Sequence, residues 1–133
     1  MSVPVQYKDK LVSWEAGGAL TQYAACVSNA DGTCVVGAGS NDTGFVGVSI
    51  EAVDSGYAAA LAGVGAIVPV QVGVTGITQG CELIIHDASG RVGPVGTASG
   101  TAYNVIGTAR EDGDTVGDTI SMTVTPYIKR AQA

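Results

Sequence analysis

Positive charge is scarce in this chain. Six lysines and arginines stand against twelve aspartates and glutamates in 133 residues, a net charge of −6. Phosphate backbones and anionic membranes are bound through clustered Lys and Arg, so neither nucleic acid nor membrane is expected as a partner. The close basic pairs, Lys8 with Lys10 and Lys129 with Arg130, lie near the termini. Aromatic residues make up 5% of the chain, and Trp14 is the single tryptophan. No exposed aromatic platform of the kind used to hold sugars is visible. Ser55 to Cys81 carries no charge, yet five glycines from Gly63 to Gly80, with Pro69, Gln71 and Gln79, interrupt any membrane-spanning helix. The start, MSVPVQYKDK, has no apolar run behind a basic segment, so no secretory signal is read and synthesis in a reducing cytoplasm is expected. Three cysteines, an odd number without C-x-x-C spacing, argue against a disulfide framework or a metal knuckle.

What the chain does have is glycine, twenty of them, together with valine, alanine and threonine. Small β-branched side chains between tight turns indicate an all-β protein, and this length suits one domain with a real core. The clearest stretch runs from Ala66 to Pro94. Val68, Val70, Val72 and Val74 alternate as in a half-buried strand, Gly76 and Gln79-Gly80 break the run, and Leu83-Ile84-Ile85 forms a short covered strand. Ser89-Gly90 turns again, and Pro94 confines the next short strand to an edge or a strand end. The stretch reads as a three-stranded meander.

Residues 1 to 18 differ from the rest. Val3, Val5 and Tyr7 alternate around Pro4, Lys8 and Lys10 follow, then Trp14 and Gly17-Gly18. This reads as an extended N-terminal arm, whose unpaired backbone could add to a neighbour's sheet edge. The other reading is a first strand of the domain's own sheet with Trp14 in the core. Leu20 to Val27 and Thr33 to Val36 flank the turn Ser28-Asn29-Ala30-Asp31-Gly32, a hairpin that brings Cys26 near Cys34. Free cysteine acts as a small buried hydrophobe, so the pair reads as core. Further strands are expected over Phe45 to Ile50, Tyr103 to Ala109 and Thr119 to Tyr127, where Pro126 stops the last one. Tyr57 to Gly65 is alanine-rich and reads as one helical turn or an irregular loop. The expected division is an arm over 1–18, a β-barrel domain over 19–128 and a frayed tail over 129–133. Val46-Gly47-Val48-Ser49-Ile50-Glu51 echoes Ile106-Gly107-Thr108-Ala109-Arg110-Glu111. The echo is short and a chance match among glycine-rich strands would produce it, so it supports duplication only weakly.

No constellation for catalysis is found. Cys81 and His86 would face opposite sides of one strand, whereas a nucleophile and its base must touch. Asp112, Asp114 and Asp118 suggest calcium faintly, but Val116 and Thr123 stand where ligands are needed. Gly37, Gly39 and Gly44 lack the Lys-Ser or Lys-Thr of a phosphate-binding loop. The chain is therefore expected not to be an enzyme and to hold no metal or cofactor.

The order of pieces, VGVSIEAVDSG, then AIVPVQVGVTGITQGCELIIHDASGRVGP, then YNVIGTAREDGDTVGDTISMTV, resembles the capsid cement or head decoration proteins of tailed bacteriophages. The resemblance covers roughly Thr33 to Pro126. It implies a small single β-barrel, SH3-like or β-tulip-like, that binds the outer surface of the assembled capsid as a homotrimer and locks coat subunits together. The implied partner is the major capsid protein and the location is the virion. This chain departs from the family's pattern at Glu15-Ala16-Gly17-Gly18, where a Pro-Gly turn is usual, and in a long loop over Gly37 to Gly44. Val3, Pro4, Val5, Tyr7, Lys8, Lys10 and Trp14 are the candidate contacts with the capsid or a neighbouring subunit. The alternative is a carbohydrate- or receptor-binding β-module of a phage tail or cell surface.

Overall fold

The computed structural model describes residues 8–39, 44–96 and 101–130. After one 3-10 turn at Lys8–Lys10, every regular element is a strand: β1 Leu11–Glu15, β2 Ala25–Ser28, β3 Cys34–Val36, β4 Phe45–Ser49, β5 Ala58–Ala62, β6 Ile67–Gln71, β7 Glu82–Ile85, β8 Val92–Pro94, β9 Ala102–Ala109 and β10 Thr119–Arg130. They form two five-stranded antiparallel sheets, ordered β1-β5-β4-β2-β3 and β6-β10-β9-β7-β8.

These two orders are the same topology, and the agreement extends to register. Leu11–Glu15 pairs Ala62–Ala58 as Ile67–Gln71 pairs Thr123–Thr119. Cys26 opposite Val36 corresponds to Leu83 opposite Pro94. Ser49 opposite Leu61 corresponds to Ala109 opposite Met122. The irregularities match as well. The β2–β4 ladder steps from Cys26–Gly47 to Val27–Phe45, and the β7–β9 ladder steps from Leu83–Gly107 to Ile84–Val105, each skipping one residue. The isolated bridge Leu20–Val53 has its counterpart in Ile77–Gly113. Tyr23, at φ +60° the one described non-glycine residue with positive φ, stands where the second half has Gly80 at +88°. The echo between Gly47 and Gly107 thus belongs to a duplication of the whole five-stranded unit, which the short sequence match did not establish.

Each unit is rolled. A single parallel bridge joins the end of its first strand to its third, Ala16 to Cys34 and Val72 to Val92, with Gly17 and Gly73 donating N–H to the facing carbonyls at 2.8 Å. One bridge is not a ladder, so neither sheet closes into a barrel; the expected single barrel is two rolled sheets. The first unit encloses Ala16, Leu20, Cys26, Cys34, Ala59 and Leu61, with Trp14 half-buried beside them. Val70, Val72, Ile77, Leu83, Val92, Ile120 and Met122 fill the second. Strand alternation sends Ala25 and Val27 to the opposite face of β2 from Cys26, and with Val48 and Ala62 they pack on the second unit's core.

Four sequence expectations change. Of the stretch read as an arm, Leu11–Glu15 is an edge strand of the first sheet, while residues 1–7 lie outside the described residues. The alanine-rich segment is strand β5, because flanking strands on both sides override its helix propensity. The meander is broken: β7 and β8 form a hairpin, but β10 and β9 lie between β6 and β7. Finally, β10 passes Pro126 and reaches Arg130, since the register shift between Val124 and Tyr127 takes the proline out of the regular ladder.

The matching bulges depend on glycine. A Cβ at Gly47 would stand 2.7 Å from the Ala62 carbonyl, and one at Gly107 would collide with the Thr123 carbonyl and Met122. Gly47→Ala and Gly107→Ala are each expected to cost about 2–3 kcal/mol by overpacking. Gly39→Ala, where a Cβ meets nothing, should change stability by less than about 0.5 kcal/mol. Urea unfolding of the three variants checks this, and wild-type midpoints for both bulge variants would refute the duplicated-bulge account.

Candidate interaction surfaces

Of the seven candidate contact residues, Val3, Pro4, Val5 and Tyr7 lie outside the described residues. Lys8 and Lys10 occupy the 3-10 turn, where the Lys10 carbonyl accepts the Gly63 N–H at 2.8 Å. Trp14 is turned inward, towards the first unit's core, rather than outward. What the structure puts beside Lys10 instead is apolar and exposed: Leu11 at 39%, Val12 at 43% and Val64 at 68%. Duplication explains why this end is open. Val68, the counterpart of Val12, is fully buried. By register the second unit has Val124 where the first has Gly63, and a side chain grown from Gly63 would touch Val12.

The outer edge of β1 is also available. Lys10 and Ala16 bond to Gly63 and Tyr57 at the two ends of β5, so the intervening odd positions Leu11, Ser13 and Glu15 direct their N–H and C=O groups to the other side. Among the described residues, that edge has the single bridge at Ala16 to Cys34 and no ladder. The corresponding edge of β6 is occupied. Pro69 removes the central N–H, the Gln71 N–H donates to the Tyr23 carbonyl at 3.2 Å, and Gln71 Nε2 donates to the Gln22 carbonyl at 2.7 Å. This is how the first unit seats on the second, together with the Ala25 N–H on the Gly90 carbonyl at 2.9 Å.

Two cavities lie elsewhere. One of about 300 Å³ is lined by Phe45, Val105, Ile106, Pro126, Tyr127 and Ile128, and Ile128 beside it is 72% exposed. The other, about 210 Å³, is lined by Gln79, Gly80, Thr108, Ala109, Arg110 and Thr123. Arg110 is half-buried there, its Nη1 donating to Thr123 Oγ1 at 3.1 Å, with no acidic partner among the described residues. Sequence reasoning missed this groove. The signal was present in the echo, which aligns Arg110 with Ile50.

The polar groups singled out for chemistry are engaged structurally. Cys81 and His86 sit on either side of β7, and the imidazole packs over Gly93 and Gly73. Asp112 Oδ1 accepts the Gln79 N–H at 2.8 Å and Glu111 Oε2 accepts the Ser121 N–H at 3.0 Å, so both carboxylates serve turns. Among the described residues no three acidic, His or Cys side chains gather as a metal site. Cys26 and Cys34 do come together, on one face of the β2–β3 hairpin, as free thiols. Burial, and then the neighbouring Cys34, pushes the Cys26 thiol up to about 12; burial also raises Cys34 and Cys81. Thiols held protonated are poor nucleophiles.

No protein-family model and no curated protein matches the chain. Among solved structures it is similar to the head fiber gp8.5 N base of bacteriophage phi29, with 18% identity, a TM-score of 0.60, and coverage of 86% of this chain and 92% of that one. The two proteins share a fold.

A raised thiol pKa has a definite pH signature. Below the ordinary thiol value of 9.0 both states keep the proton; above it the unfolded chain ionises while folded Cys26 holds out to about 12. Stability should therefore fall as pH rises through that window. The Cys26→Ala variant should show a shallower fall between pH 8 and pH 10.5 in urea unfolding, and an unchanged slope would show that Cys26 is not responsible.

Proposed function

We propose that this chain is a structural protein of a tailed-phage virion, one that seats on the outer surface of the assembled capsid and stabilises it. The observation that carries the reading is the fold shared, over nearly the whole of both chains, with a phage head-fibre base. The order of glycine turns and valine strands that resembles the decoration family points the same way. Binding a shell needs no catalysis. It needs a rigid small body, an apolar patch to bury and a soluble remainder, and exposed Leu11, Val12 and Val64 beside Lys10 on a chain of net charge −6 provide these. The major capsid protein is the proposed partner, and copies are proposed to associate with one another as trimers.

The test uses purified chain and capsids that lack it. Added chain should co-sediment with the shells, appear as external density in electron micrographs, and raise the temperature at which the shells rupture. Failure to bind any capsid lattice, with specific binding to a polysaccharide array instead, would replace this reading with the receptor-binding one. Removing residues 1–7, with their alternating Val3, Val5 and Tyr7, should leave the melting temperature of the isolated chain nearly unchanged. It should weaken capsid attachment about tenfold or more, corresponding to about 1.4 kcal/mol. If the truncated chain unfolds instead, the segment belongs to the domain and the contact must be sought elsewhere.

A further inference from the structure

The interface inside the chain is a template for an interface between chains. The first unit presents Gln22, Tyr23 and the β4–β5 face to the free edge of β6 and covers it. Duplication gives the second unit the same surface, built from Gln79, Gly80, Thr108 and Thr123, and among the described residues it stands open as the 210 Å³ groove. Conversely β1 has the same edge as β6, and among the described residues it bears only the bridge from Ala16 to Cys34. The chain thus carries one unfilled copy of each half of an interface that it makes internally.

The residues that differ between the two copies complement each other. Gln71, which bonds the first unit, is Glu15 in β1; Ile50, beside the Gln22 amide, is Arg110 in the second unit. An Arg lines the groove without an acidic partner, and an exposed carboxylate ends the open edge. Pro69, which blocks the centre of the β6 edge, is Ser13 in β1, leaving its N–H able to pair.

We infer that copies of this protein associate head to tail, the β1 edge of one chain lying in the second-unit groove of the next with Glu15 against Arg110. The contact is heterologous, so it generates a ring where the rotation closes. It specifies the surface behind the self-association proposed above and rests on that part of the reading. Glu15 supplies a backbone N–H to the Gly80 carbonyl of the neighbour, as Gln71 does to Tyr23 within the chain.

Charge reversal tests the pairing in the full chain. Glu15→Arg and Arg110→Glu should each weaken association about tenfold or more by sedimentation velocity, because like charges then meet. The double reversal should restore it. Unchanged association in both single variants, or no recovery in a folded double variant, would overturn the inference, as would a wild-type chain that stays monomeric at high concentration. Because Arg110 also bonds Thr123, a second measurement is independent of its replacement: a Glu15→Cys/Gln79→Cys chain should form disulfide-linked multimers on mild oxidation, and monomers alone would count against the contact. Capsid co-sedimentation of the same variants separates the two levels. Self-association through other residues sinks this interface and leaves the virion role standing, whereas failure of all chains to bind capsids sinks the virion role.

Discussion

The constraint on which this fold depends is the roll of each sheet, held by one parallel bridge between its first and third strands. Valine, alanine and cysteine cannot fill the wide gap between flat sheets packed face to face, where facing side chains must span about 10 Å. Rolling five short strands brings the small side chains within reach of each other. Ala16 meets Cys34 in one unit and Val72 meets Val92 in the other, all of them fully or almost fully buried. The roll in turn demands glycine where strands approach most closely. Gly47 and Gly107 sit at the step in register, where a side chain would strike the neighbouring strand's carbonyl. Twist concentrates at such bulges, which lets a five-residue strand turn the corner.

Much of this was legible in the residues, and the losses have physical causes. Hairpins were visible because their turns are written locally: Asn29 to Gly32 and Asp87 to Gly90 announce β2–β3 and β7–β8. Strand order was not, since β6 pairs with β10 across a large stretch of sequence and no local pattern records a long-range partner. The helix option at Ala58–Ala62 came from intrinsic preference, which is weak beside the pairing of an internal strand on both sides. Pro126 was read as a stop because prolines end ladders, and the bulge that tolerates it is a tertiary feature.

The duplication was the largest thing the sequence hid. Counterparts inside the rolls keep direction but not identity: Cys26 and Leu83, Leu61 and Met122, Ser49 and Ala109. Cores tolerate such drift among buried small and apolar side chains where the neighbours adjust, even where, as at Cys26 and Leu83, the volume changes. Single insertions in the loops, such as the one between Gly73 and Ile77 relative to Gly17 and Leu20, shift the alignment so that no constant offset links the halves. Among the positions that survived unchanged, Gly47 with Gly107 and Gly56 with Gly117 have backbone reasons, the latter pair at φ +90° and +93°. The candidate surface was hidden by the same drift. Arg110 gains meaning only once Ile50 is known to be its counterpart.

Two equal topologies need not be equally self-sufficient. The second unit fills its roll with Ile77, Leu83, Ile106, Ile120 and Met122, whereas the first has Leu20, Cys26, Val46, Ala59 and Leu61 in the matching places. Hydrophobic stabilisation scales with apolar area at about 25 cal/mol per Å², so the smaller side chains leave the first unit the weaker of the two. It compensates on its other face, where Ala25, Val27, Val48 and Ala62 are buried on the second unit's core. At the matching positions of the second unit stand Glu82, Ile84, Thr108 and Thr123, mostly polar, as suits a surface that folds without a partner and meets one afterwards. The division of labour is therefore set by composition on a common backbone: the second unit supplies the rigidity, and the first, seated on it, holds its open edge and apolar end outward.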